Sequence, residues 1–600
     1  MQRIAKVREW IFQDLPRAAA VAAAAIVFLA VLTYAFGSDI RELACNRLQD
    51  DSYYYLQPAW NFSRSGIFSF DGEHPTYGFQ PLWMIVLAAL ARLSPDKPFF
   101  LRAAVALGGL FFCLTGLALF RLARAWAAGW TAVLAPVLWT ANFTLLGAYI
   151  TGKENALYAF LLVICCIRIL KRTAAPARGA WADGILLGLM VLSRINALVP
   201  AVLLLAVLGV WGGGSRADRA RRMLPAAAGM LAVLAVWCVY AQISFGAVFP
   251  NSGTTKLFGS GAALAVFLES HIPWIPPAWI EAFVPRAERV LLTRPDLLVL
   301  PTKDAGISYL IGLLPDLAYG SWAGIFSFLG APDFRIKVLA LAAVGIGAAG
   351  WVLLQLRSSA RAAAAAVVGV ILVSAAANSA VNWLVMPDYL LWGIWYAVPE
   401  TLALILGLAC VLDLPLERFA RIRPPGGRIM TAASVAVISM LAAAGLGMVW
   451  VHFLPSPYVE APDGTQQAAY DAAAWMNGNL PQGARVGSYS AGLLGYFGRT
   501  YTVINLDGLA NTTQFAAGEL VGHLLYVRGL ADEDPLREYL RRESIGYLAN
   551  VDVIGRIESG EYLGLVDAGG GTLIYEGERA IFWGPAEPER RMVVVQVTEP

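Results

Sequence analysis

Apolar runs long enough to cross a bilayer recur through most of this chain, and that repetition decides its class before any single residue is weighed. The first extends from Arg17 to Phe36. Others lie near 99–120, 127–149, 155–170, 181–192, 197–211, 223–244, 337–356, 362–385, 391–411 and 429–453. In lipid every backbone polar group must be satisfied within its own segment, so such runs predict helices, about eleven in all. Composition agrees: 58% of the 600 residues are hydrophobic, 14% are charged and the mean hydropathy is +0.60, too apolar for one soluble core. A formal net charge of +3 gives no sign of a nucleic-acid partner. The six cysteines fall mostly inside apolar runs without metal-ligand spacing and read as small core residues.

The basic residues set the threading. Arg3, Lys6, Arg8 and Arg17 precede the first run, which lacks a clear cleavage site and reads as an uncleaved helix with its amino terminus inside. Arg121 with Arg124, Lys171 with Arg172, Arg216 to Arg222, Arg357 with Arg361, and Arg418 to Arg428 then all fall on the cytoplasmic side. Pro81 to Leu93 is too short to span, and counting it as a crossing would turn Arg121 and Arg124 outward, so it belongs to the interface. This threading gathers five polar segments on the outer face: 50–83, 151–155, 193–196, 245–256 and 387–400.

The expected architecture is therefore a polytopic α-helical membrane unit, residues 1–454, with outer loops at 37–98 and 245–336, followed by an extracytoplasmic α/β domain at 455–600. The long second loop, with its piece 271–279, is expected to lie along the bilayer surface. In the tail, helical patterns at 466–476, 514–523 and 535–542 alternate with strand patterns at 485–489, 546–550, 572–575 and 592–597. No internal repeat is visible.

The first outer segment reads Asp50-Asp51-Ser52-Tyr53-Tyr54-Tyr55 and runs on to His74-Pro75-Thr76-Tyr77-Gly78-Phe79-Gln80-Pro81-Leu82-Trp83. Two like charges among aromatic rings at a membrane edge are costly as packing and ask for a chemical task. Three further outer motifs follow: Thr151-Gly152-Lys153-Glu154-Asn155, Ser193-Arg194-Ile195-Asn196, and Phe245 to Ser252 leading to Lys256. The tail adds Gly495-Tyr496-Phe497 and Asn505-Leu506-Asp507-Gly508-Leu509. In this order and on one side, the motifs resemble the GT-C glycosyltransferases that use polyprenyl-phosphate sugars, nearest in pattern to bacterial arabinofuranosyltransferase-like members. The chain departs from that pattern at Lys153-Glu154-Asn155 and Arg194-Ile195-Asn196, where donor and acceptor identity would be set.

The resemblance implies an inverting transferase in the bacterial inner membrane, multi-pass, with active site and tail on the extracytoplasmic side. It implies a polyprenyl-phosphate sugar donor and an extracytoplasmic glycan, lipid or protein acceptor. The chemistry asks for a carboxylate to take the acceptor's proton and for cations to stabilise the departing phosphate. Asp50 and Asp51 suit the first task; Lys153, Arg194, Lys256 and His74 suit the second. Glu154, Asn196 and Asn251 are candidates to orient these groups, and Tyr54, Trp395 and Tyr396 to contact sugar or acceptor. A divalent metal ion, if used, would fall to Asp50, Asp51 and Glu154. The tail is expected to hold the acceptor, leaving the phosphate site to the loops between helices.

Plainer readings stand beside each of these. The Asp pair could cap an interfacial helix, His74 could shape a turn before Pro75, and Lys153, Glu154, Arg194 and Lys256 could be snorkelling or paired charges. Trp395 and Tyr396 fit an interfacial aromatic belt equally well, and Asp507 a structural turn. A transporter or flippase of lipid-linked sugars is the alternative function, but such proteins set polar groups at the midplane on inverted repeats. A non-catalytic envelope assembly protein would leave the Asp pair without a task.

Overall fold

The computed structural model describes residues 15–126, 131–140, 142–176, 178–250, 334–356, 361–385, 397–422, 464–506, 510–511, 535–553, 571–577 and 590–597. Four of its helices are long and apolar enough to cross a membrane: Arg17–Gly37, Lys97–Ala123, Arg216–Phe245 and Ala362–Ser379. Shorter apolar helices include Pro81–Leu93, Ala180–Ser193 and Val398–Val411. At about 1.5 Å per residue, Pro81–Leu93 falls well short of a hydrocarbon core about 30 Å thick.

The helical unit is built around α8 (Asn155–Ala174). It packs against α5 (Lys97–Ala123), α9 (Ala180–Ser193), α10 (Leu198–Trp211), α13 (Ala362–Val385) and α14 (Val398–Ile422). α1 (Leu15–Gly37) leans on α5, α11 (Arg216–Phe245) on α9, and α12 (Phe334–Leu356) on α13 and α14. Lys171 and Arg172 close α8 where its dipole favours cations. The nearly inaccessible Asp183 of α9 accepts from both Arg168 and Arg172.

One expected run proves to be two elements. Within 127–149 the chain forms α6 (Thr131–Thr140) and α7 (Phe143–Tyr149), because the Asn142 side chain accepts the Leu145 N–H and starts a new helix. The run at 429–453 and the surface piece at 271–279 lie outside the described residues.

The segment expected as the first outer loop is also helical, with α2 (Ile40–Asn46), α3 (Asp50–Ser65) and α4 (Pro81–Leu93). Ser52 Oγ accepts the Gln49 N–H at the start of α3, and both Asp50 and Asp51 stand in its first turn, where the helix dipole favours anions. α4 opens on Pro81, whose missing N–H costs nothing at a helix start.

The tail carries a five-stranded sheet ordered β2-β1-β3-β5-β4. β1 (Ala484–Ser488) pairs in parallel with β2 (Tyr501–Asn505) and β3 (Tyr547–Val553); β5 (Arg590–Val597) runs antiparallel to β3 and to β4 (Gly571–Glu576). The pattern expected at 485–489, 546–550, 572–575 and 592–597 matches four of these strands within a few residues, while β2 and the short α16 (Gly492–Phe497) lack a clear periodic signal. α15 (Thr465–Asn479) and α17 (Pro535–Arg542) meet the two expected helices; 514–523 lies outside the described residues.

This sheet unit is seated on the first outer loop. α15 packs on α2, α16 on α3, and the Tyr53 ring lies 5.3 Å from that of Tyr496. Lys97 Nζ donates to the Tyr496 carbonyl and the Tyr496 hydroxyl donates to the Lys97 carbonyl, each at 2.7 Å.

Candidate active site

The two carboxylates of the Asp-Asp pair meet different fates. Asp50 Oδ1 accepts the backbone N–H of Leu493 at 3.0 Å, and Gly492 and the Tyr54 hydroxyl close round the same carboxylate. A Cβ on Gly492 would stand 2.4 Å from the Asp50 carbonyl oxygen and 2.6 Å from Oδ1, so only glycine fits there. Burial pushes the Asp50 carboxyl up to about 6, against the opposing pull of the Leu493 N–H. Asp51, next to it and partly exposed, makes no hydrogen bond or ion pair with any described residue.

Lys153 comes to the same turn, its Nζ 2.6 Å from Gln49 Oε1. Trp83 Nε1 donates to the Gly152 carbonyl at 2.8 Å, and Gly152, at φ 78°, supplies the left-handed turn that swings Lys153 inward. Arg194 is ion-paired with Glu154 at 3.3 Å, both side chains buried. The chain of contacts continues: Tyr55 bonds Glu154, the Gln80 N–H donates to Tyr55, and the Ile195 N–H donates to Gln80 Oε1. Asn196 Nδ2 donates to Asn378 Oδ1, and Asn378 Nδ2 reaches both oxygens of Glu400 at 2.9 and 3.1 Å, with Ser379 Oγ adding a third bond at 2.8 Å. The first outer loop, 151–155, 193–196 and the start of α14 thus converge. From the remaining segment, Phe245 stacks on Tyr77 at 5.1 Å.

Two of the expected site residues are tied into the contact with the tail. His74 was expected at the phosphate, but its Nδ1 lies 2.8 Å from Asp71 Oδ2 and its Nε2 3.3 Å from Glu543 Oε2. Both ring nitrogens are engaged by carboxylates, and the hydrogen bond to the Asp71 carboxylate raises the imidazole above its usual range. Burial works to raise Asp71, yet the N–H groups of His74 and Glu73 and the imidazole hold it below the usual carboxylate range. Arg485 bridges Glu73 and Glu543 beside them, so His74 belongs to a charged seam between loop and tail. Tyr54 was expected at the sugar, but its hydroxyl donates to the Tyr489 carbonyl and accepts from the Ala491 N–H and Asn505 Nδ2, each at 3.2 Å. It too is spent on seating the tail.

The tail therefore reaches the Asp pair, since the Leu493 N–H holds Asp50. Asp50, Asp51 and Glu154 do not gather as metal ligands: Glu154 faces Arg194, and among the described residues no group of three or more His, Cys, Asp or Glu is placed to hold an ion. Asn251, Lys256, Trp395 and Tyr396, and Asp507 of the tail motif, lie outside the described residues. The sequence reading singles out neither Gln49, Gln80, Asn378 nor Glu400. The available signal was an Asn inside the apolar run 362–385 and a carboxylate opening the helix at 398, polar groups that are costly in a membrane without a partner or a task.

The structure superposes on the oligosaccharyltransferase of Archaeoglobus fulgidus in its apo form with a TM-score of 0.52 and 14% identity, over 92% of this chain and 73% of that one. The same protein tethered to an acceptor peptide aligns at 0.52 and 14%, over 97% and 74%. Its neighbours are GT-C glycosyltransferases. The chain has the GT-C fold. Arabinofuranosyltransferase AftD from mycobacteria aligns at a TM-score of 0.44 and 16% identity, over 97% of this chain and 40% of its own. Residues 460–569 match the model of a domain of unknown function, DUF8728, which overlaps most of the tail. Among curated protein sequences none matches.

Proposed function

We propose that the chain is an inverting glycosyltransferase that moves a sugar from a polyprenyl-phosphate donor to an extracytoplasmic glycan, lipid or protein acceptor. It would thread the bacterial inner membrane with about eleven helices, the Asp pair and the tail facing outward. The observation that supports this most is the division of the Asp pair within a GT-C fold: Asp50 is held by the Leu493 N–H, while Asp51 makes no hydrogen bond or ion pair with any described residue, two positions along the chain from Gln49, which Lys153 contacts.

In this reading Asp51 accepts the proton of the acceptor hydroxyl as its oxygen bonds to the anomeric carbon. The bond from that carbon to the donor phosphate breaks on the opposite face, and polyprenyl phosphate leaves with the electron pair. Lys153 and Arg194 stabilise the charge that develops on the phosphate, with Glu154 fixing the guanidinium. Asp50 and Tyr54 act as positioning residues that lock the first turn of α3 to the tail.

Purified Asp51→Asn is expected to lose transfer from decaprenyl-phosphoryl sugars by about 10²- to 10⁴-fold, the usual worth of a general base, while still binding the lipid. Wild-type turnover by Asp51→Asn would remove Asp51 as the base.

A further inference from the structure

Behind the ion pair of Arg194 lies a set of buried polar atoms without protein partners. The hydroxyls of Tyr149 and Tyr158, Oδ1 of Asn155 and Oδ1 of Asn196 are all inaccessible and make no hydrogen bond among the described residues. Both tyrosines and Asn155 are fully buried. Asn155 and Tyr158 share one face of α8 at a spacing of three, and Asn155 is tied to the carbonyl of Ala148, next to Tyr149. Both tyrosines lie within electrostatic reach of Arg194 and Glu400. Glu400 in turn reaches Asn196 through Asn378. Buried polar groups are nearly always paired, so several unpaired ones around a buried carboxylate point to a missing ligand.

The chemistry of the set selects the ligand. Two amide oxygens and a carboxylate are acceptors, which repel a phosphate and need hydroxyl donors; the tyrosine hydroxyls can donate to hydroxyl or ring oxygens in return. We propose that Tyr149, Tyr158, Asn155, Asn196 and Glu400 form the pocket for the neutral glycosyl group of the donor. This rests on the glycosyltransferase reading above and separates sugar recognition here from phosphate recognition at Lys153 and Arg194.

The pairing state of the tyrosines makes the test sharp. A hydroxyl with no partner contributes nothing to the fold, so a purely structural role predicts that Tyr149→Phe and Tyr158→Phe leave stability and binding unchanged or improved. The experiment measures binding of decaprenyl phosphate and of its arabinofuranosyl, mannosyl and glucosyl esters to the full chain in lipid nanodiscs, for wild type and the double Phe variant. At least one ester is expected to bind wild type more tightly than the bare lipid, and the double variant to weaken that ester by about tenfold or more while leaving decaprenyl phosphate unchanged and the thermal midpoint no lower. Equal binding of that ester by wild type and variant, as a filling water would give, overturns the pocket. So does the lack of any ester that exceeds the bare lipid, with the lipid-phosphate reading left standing. Failure of wild type to bind any of these lipids overturns that reading, and the pocket with it.

Discussion

Replacing Asp50 by Asn should change the pH dependence of stability in a direction that follows from its surroundings. Burial favours the neutral acid, so the carboxyl binds its proton more tightly folded, at about 6, than an aspartate in an unfolded chain, at 3.8. That difference is worth about 3 kcal/mol. Because the folded value is the higher one, the stabilisation is fully present below pH 3.8 and is lost as pH rises through about 6. Asn carries no titrating proton, and its Oδ1 can still accept the Leu493 N–H, so the variant should escape this loss. The stability of Asp50→Asn minus that of wild type should therefore rise by about 3 kcal/mol, at most, between about pH 4 and pH 7. Denaturant unfolding of the detergent-solubilised chain, followed by tryptophan fluorescence across that range, measures it. Taking the difference removes the other titrating groups and any constant effect of the amide. A difference that stays flat, or that falls with rising pH, would refute the claim that the tail buries this carboxylate.

Gly492→Ala should separate α16 from α3, since its Cβ would meet Asp50 at 2.4 Å; about 1–3 kcal/mol of stability and most of the transfer activity should be lost. Gly478→Ala, where a Cβ meets nothing within 4 Å, is the control, and equal thermal midpoints for the two variants would contradict the contact. His74→Gln tests the charged seam: the imidazole is raised above 6.5, so its contribution is present below pH 6.5 and fades as pH rises through the folded value. The variant should make the tail easier to cleave by protease at pH 6 but little changed at pH 9, and identical cleavage of variant and wild type at both values would rule the seam out as a tether.

The membrane class, the expected helix at most of the apolar runs and the positions of four strands of the tail were legible from the chain, because each rests on a local period or on the cost of an unsatisfied backbone in lipid. The Asp pair was legible as an anomaly for the same reason: its cost is local. Which Asp is held by the tail was not, because the group that decides it, the Leu493 N–H, lies 443 residues away and meets Asp50 only once α16 has packed against α3. The contacts of Tyr54 and His74 were hidden on the same account, their partners including Tyr489, Ala491, Asn505 and Glu543 of the tail. Tyr149 and Tyr158 carry no sequence signal at all, since an aromatic residue in an apolar run reads as packing. Only the tertiary packing shows that their hydroxyls are sealed from water and left without a hydrogen bond to any described residue, within electrostatic reach of Glu400.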